Sequence, residues 1–138
     1  MTKEFKILLI EDDAIEIMKL RRSMESLRLP HKLIEAGNGE EALEYLQEPK
    51  NLPDLILLDL NMPKMNGIEF LELINDIEDL KRIPTIILTT SENNKNILTC
   101  YKLGISGYIT KSANYIDYLE KLKCLFEYWN FNKLPQAS

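Results

Sequence analysis

A chain of 138 residues with 45% hydrophobic content and a net charge of −5 fits one globular domain, long enough to bury its own core without metal or disulfide staples. No apolar run approaches the roughly 18–20 residues of a membrane helix, no basic block marks a nucleic-acid face, and the N-terminus leads straight into a strand without an apolar leader. The expectation is a cytoplasmic protein without a nucleic-acid or membrane partner; Cys100 and Cys124 lie too far apart in sequence for a metal-ligand pair.

In chain order, residues 6–10 (Lys-Ile-Leu-Leu-Ile) read as a strand and 14–28 as a helix with Ile17, Leu20, Met24 and Leu27 on one face. Leu29-Pro30 ends that helix. Residues 31–36 form a short, more polar strand suited to a sheet edge, with His31 at its start read as a loop residue. Asn38, with Glu41 three residues later, is an N-cap signal for a helix carrying Ala42, Leu43 and Leu46. A loop over 49–53 precedes the apolar strand 55–59, and a turn-rich loop over 61–67 precedes a helix over 68–77. The charged residues from Glu69 to Arg82 read as a solvated helix face. Then come a strand at 85–89, a polar loop at 90–94, a helix ending near Gly104, a strand at 107–111 and a helix at 115–131; residues 132–138 read as a frayed tail beyond a core of about 5–131. Strands alternating with helices predict an α/β domain, a doubly wound five-stranded parallel sheet with helices on both faces. With the weak second strand at an edge, the order is 2-1-3-4-5, the flavodoxin-like winding.

That order brings the ends of strands 1 and 3 together at the switch point, where such folds place ligands. Asp12 and Asp13 follow strand 1 and Asp59 ends strand 3. Gathered carboxylates repel one another and raise each other's pKa values, a conflict that a hard divalent cation removes; Mg2+ suits an oxygen-only site, with Mn2+ as a substitute. Asp59 is then a candidate phosphoryl acceptor through an acyl phosphate. Thr89 at the end of strand 4 and Lys111 at the end of strand 5 offer a hydroxyl and an ammonium on the same sheet edge. Taken alone, Asp12 and Asp13 would read as helix N-caps, Thr89 as a strand filler and Lys111 as a surface charge.

Together these residues resemble the receiver domains of two-component response regulators, with the spacings Asp59–Thr89 and Thr89–Lys111 in register and nearly the whole chain covered. The resemblance places the family's acidic pair on Asp12 and Asp13, its phosphoacceptor on Asp59 within Leu57-Leu58-Asp59-Leu60-Asn61-Met62-Pro63, its hydroxyl on Thr89 and its lysine on Lys111. It implies a metal-binding backbone carbonyl at Asn61 and a switch aromatic at Tyr108. It also implies a sensor histidine kinase as donor and no classical enzyme activity beyond the autodephosphorylation expected of an acyl phosphate. The signal would pass through the face made by the fourth helix, fifth strand and last helix, to a downstream protein or a phosphotransfer protein. Ser112 stands where the family usually has proline, and Thr90 where it commonly has alanine; Thr90, Asn61 and Ser91 lie where attacking water would pass and are expected to tune phosphoryl lifetime.

The last helix holds Tyr115, Tyr118, Phe126, Tyr128, Trp129 and Phe131. Ile116, Leu119 and Phe126 read as its inward stripe, and Tyr118, Leu122, Leu125 and Trp129 form a second line that suits either further packing on the core or a surface for a partner or a homodimer. The ending Phe126-Glu127-Tyr128-Trp129 resembles, more weakly, small regulators paired with bacterial phytochromes, some of which dimerise through this region. No output domain is expected after Phe131. Two other chemistries fit less well. A haloacid-dehalogenase-type phosphatase needs an acid where Asn61 stands, and a nucleotide carrier needs a glycine-rich loop where Glu11-Asp12-Asp13 stands. A receiver fold acting as a constitutive docking module, without phosphorylation, is the remaining alternative.

Overall fold

The computed structural model describes residues 4–133. The strands β1 (Lys6–Ile10), β2 (Lys32–Ala36), β3 (Leu55–Leu58), β4 (Thr85–Thr89) and β5 (Gly107–Thr110) form one parallel sheet in the order β2-β1-β3-β4-β5. The expected winding is the one observed. The helices are α1 (Ala14–Ser26), α2 (Gly39–Leu46), α3 (Gly67–Asn75), α4 (Glu78–Lys81), α5 (Asn94–Lys102) and α6 (Tyr115–Phe131), with a 3-10 turn at Pro49–Asn51. The one-turn α4 interrupts the charged stretch after α3 and turns Leu80 into the core.

Alternate residues of the central strands feed two cores, because successive side chains leave a strand on opposite faces. Leu8, Ile10, Ile56, Leu58 and Ile87 pack with Ala42, Leu46, Phe70, Leu71, Ile74 and Cys100 of α2, α3 and α5. Ile7, Leu9, Leu55, Leu57, Ile86 and Leu88 pack with Leu20 and Met24 of α1 and with α6. Every residue of β3 is buried, as its unbroken apolar run requires of a strand covered on both sides. The edge strand β2 is more exposed, and Glu35 on it pairs with Arg21 of α1.

Local signals set the helix starts. Asn38 accepts from the Glu41 amide at 3.0 Å, the cap its spacing predicted. Asn66 and Glu69 form a reciprocal capping box, so α3 begins at Gly67. α1 ends at Ser26, two residues short of the expected stop, and Arg28 turns left-handed with φ of 55°. Residues 132 and 133 follow α6, and the remainder of the expected tail lies outside the described residues.

The last helix corrects one expectation. Tyr118, Leu122, Leu125 and Trp129, which the sequence offered as core or as interface, are buried, and with Phe126 they form the stripe facing the sheet. Ile116, expected inward, is 78% exposed. The physical reason is the spacing i, i+4, i+7, i+8, i+11, which places these five side chains on one helical face, packed with Ile7, Leu9, Leu55 and Leu57 of β1 and β3. Tyr115, Ile116, Tyr128 and Phe131 are the exposed apolar residues of α6. His31 is also more than a loop residue: its ring lies between Phe5 and Phe126, at 4.9 and 5.2 Å, and its Nδ1 accepts from the Phe5 amide.

Candidate functional site

The site lies at the C-terminal edge of the sheet, where the ends of β1, β3, β4 and β5 converge. Parallel pairing sets Ile10 beside Leu58, so the residues just beyond them, Glu11 and Asp59, emerge next to each other. The Asp59 amide still donates to Ile10 O at 3.0 Å, which fixes the start of the loop after β3. β4 and β5 pair Thr89 with Thr110, and the Lys111 amide donates to Thr89 O at 2.7 Å. The loop that follows Asp59 closes against Gly67, where an added Cβ would stand 2.6 Å from Asp59 O. Only glycine admits that approach.

Carboxylate oxygens of Glu11, Asp12 and Asp59 come within 4.8 Å of one another. Glu11 and Asp59 are buried and Asp12 is exposed, so the cluster opens to solvent on one side. Asp13 departs from expectation: its Oδ1 accepts from the Ile15 amide at 2.9 Å and caps α1, outside the described cluster. Glu11 takes the place in the acidic pair that the sequence reading gave to Asp13. The reason is local: the residue directly before the first helical turn spends its side chain on unpaired amides.

Lys111 stands over the cluster with its side chain 7% exposed. Its Nζ donates to Glu11 Oε1 at 2.5 Å and lies 4.0 Å from Asp59 Oδ1. Burial lifts the pKa of Asp59 above the ordinary carboxylate value, and the nearby Asp12 charge adds to it, against the lowering effects of Lys111 and of hydrogen bonds from Thr89 and the Leu60 amide. Burial likewise raises Glu11, with Asp59 adding to it against Lys111. Burial would depress Lys111, yet Glu11, Asp59 and Glu16 outweigh it and hold the ammonium above its usual value. Such a donor set fits a divalent cation: oxygen-only, anionic, crowded enough to resist full ionisation, and open to water on the Asp12 side.

The switch and lifetime candidates sit on the neighbouring loop. Thr89 is fully buried at the end of β4. Tyr108 packs its ring against the first core and donates its hydroxyl to Ser91 O at 2.9 Å. The β4–α5 loop is therefore tied to β5 two residues beyond Thr89. Thr90 and Asn61 are exposed and Ser91 is half-buried. The described peptide bonds are all trans, Lys111-Ser112 included.

This fold and this edge define a doubly wound α/β module with a carboxylate cluster and a lysine at its switch point. The model of the response regulator receiver domain matches residues 7–123, and the chain belongs to that family. Response regulator Rcp1 of Synechocystis sp. (strain ATCC 27184 / PCC 6803 / Kazusa) is 37% identical over 128 residues, covering 89% of this chain and 87% of Rcp1. Chemotaxis protein CheY-3 of Vibrio cholerae is 31% identical over 92% of this chain and 95% of its own length. Among solved structures, the phosphorylated cyanobacterial phytochrome response regulator RcpA superposes with a TM-score of 0.88 at 38% identity, covering 97% of this chain and all of that one. The Mn2+-bound form of Rcp1 gives 0.86 at 35% identity, covering 96% and 99%. Receiver domains are phosphoacceptors of two-component signalling rather than classical enzymes, and no described helix is long and apolar enough to cross a membrane.

Proposed function

We propose that this chain is a single-receiver response regulator that takes a phosphoryl group onto Asp59 from a phosphohistidine of a sensor histidine kinase. The observation that carries the reading is the convergence of Glu11, Asp12, Asp59 and Lys111 at one sheet edge, three carboxylates within 4.8 Å beneath a buried ammonium. An Asp59 carboxylate oxygen attacks phosphorus as the phosphorus–nitrogen bond breaks; the imidazole leaves with that electron pair, and a mixed anhydride remains on Asp59. Asp12 and Asp59 would hold Mg2+, or Mn2+ in its place, with the Asn61 carbonyl, and Glu11 would complete the acidic side. The bound cation supplies charge neutralisation for the incoming phosphoryl oxygens. Lys111 would then pair with a phosphoryl oxygen and Thr89 would hydrogen-bond another.

Phosphorylation adds a charge of about −1.5 to −2 at neutral pH, enough to bias a loop with two arrangements. The link from Thr89 through Ser91 O to the Tyr108 hydroxyl supports a route from the phosphate to the α5–β5–α6 face. Thr90, Asn61 and Ser91 line the approach of water and would set the acyl-phosphate lifetime. Output is by protein contact or onward phosphotransfer. That the chain covers 87% of Rcp1 and all of RcpA supports the single-domain reading, and RcpA is a phytochrome response regulator, which makes a phytochrome-type kinase the first donor to try.

The test is transfer from a labelled phosphohistidine kinase, followed by borohydride trapping and peptide mapping. Label on the peptide containing Asp59, dependent on Mg2+, is the expected result. Label elsewhere, or none from any kinase that phosphorylates other receivers, would overturn the reading in favour of a constitutive docking module.

A further inference from the structure

Three carboxylates are ion-paired with Lys111 among the described residues, and Asp59 is the farthest of them. Glu11 Oε1 stands at 2.5 Å, Glu16 Oε2 at 3.5 Å and Asp59 Oδ1 at 4.0 Å from Nζ. Glu11 and Asp59 belong to the carboxylate cluster; Glu16 does not. It projects from the first turn of α1, and its Oε2 is buried and accepts no hydrogen bond, so the ion pair with Lys111 is what compensates that oxygen. When the cluster's charge is shared with a divalent cation, Glu16 is the carboxylate whose full charge stays on the lysine.

We propose that Glu16 is a positioning residue for Lys111: it holds the ammonium on the α1 side in the resting protein and sets how readily the lysine crosses to a phosphoryl group on Asp59. A second cation is at hand to receive the glutamate afterwards. Lys19, three residues further along α1, places its Nζ 4.3 Å from the Tyr118 ring and 3.5 Å from Ser112 O, and residues three apart on a helix are neighbours. Moving Lys111 therefore leaves Glu16 to pair with Lys19 instead, which repositions charge beside Tyr118 on α6. The inference rests on Asp59 being the phosphoacceptor.

The experiment measures the affinity for beryllium fluoride, a tetrahedral phosphoryl mimic, in the presence of Mg2+, and separately the affinity for Mg2+ alone. Glu16→Gln should bind beryllium fluoride more tightly by roughly two- to fivefold, the scale of a part-exposed ion pair. Its Mg2+ affinity should stay unchanged, and the gain should vanish in a Lys111→Met background. An unchanged beryllium fluoride affinity would overturn the proposal. So would a parallel loss of Mg2+ affinity, which marks a general field effect, or an equal gain without the lysine. Should Lys111→Met fail to fold, the two affinities of Glu16→Gln decide alone. Wild type that binds neither ligand would sink the phosphoacceptor reading and this one with it, whereas wild-type binding with no effect of Glu16→Gln sinks this one alone.

Discussion

At the scale of single residues, the acidic run after β1 divides its labour by position. Asp13 caps α1, and Glu11 and Asp12 face Asp59. Asp12→Asn should weaken Mg2+ binding by at least about tenfold, the scale on which even outer partners of a metal count. Asp13→Asn should leave it intact, since asparagine caps a helix as well, while Asp13→Ala should cost about 1 kcal/mol of stability by urea unfolding. Calorimetric titration with Mg2+ distinguishes the two aspartates, and a loss of affinity on Asp13→Asn would contradict the assignment. The sequence carried enough to see this. An Asx residue directly before the first helical residue, Ala14, is a cap signal, which leaves the pair at positions 11 and 12. The resemblance to receiver domains hid it by drawing attention to the two adjacent aspartates. Asp59 and Thr89 were legible because they mark the ends of the apolar runs of β3 and β4, and Lys111, just past the shorter β5, because its spacing from Thr89 is in register with the receiver pattern.

At the scale of elements, α6 shows where periodicity alone misleads. Two apolar stripes fit its sequence, and only packing decides which one meets the sheet. The chosen face carries Tyr118, Leu122, Leu125, Phe126 and Trp129, which pack in one core with Phe5, Ile7 and Leu57. Leu122→Ala should therefore cost about 2–5 kcal/mol by chemical denaturation, as for a buried leucine, and leave the oligomeric state as it is. A variant of full stability with altered self-association would place Leu122 at an interface instead. The strands and their order were readable from the sequence, as were the caps at Asn38 and the extent of α6. The one-turn α4 was not, because four residues of mixed charge carry no periodic signal, and Leu80 is what ties them down.

Across the whole molecule, His31 beside the α1–α6 core and the carboxylates of the site respond to protons in opposite senses. Burial between Phe5 and Phe126 holds the His31 pKa below its ordinary value of about 6.5, with Glu4 opposing. As pH falls below that value the unfolded chain binds the proton first, so this stability is full above about pH 6.5 and is lost as pH drops towards the folded value. Asp59 and Glu11 are raised, so between the ordinary carboxylate values and their folded ones the folded chain holds more protons and stability falls as pH rises. Melting temperatures between pH 5 and about 7 should fall more steeply with acid in wild type than in His31→Gln. Parallel curves would show that His31 does not titrate as its burial requires. Mg2+ should raise the melting temperature more at neutral than at acid pH, because protons compete for the same oxygens. The central claim, that Asp59 is the acceptor, is tested most directly by intact-protein mass after incubation with acetyl phosphate and Mg2+. Wild type should gain one base-labile phosphoryl group that is lost on omitting Mg2+, and Asp59→Asn should gain none; an adduct of equal yield on Asp59→Asn would contradict it.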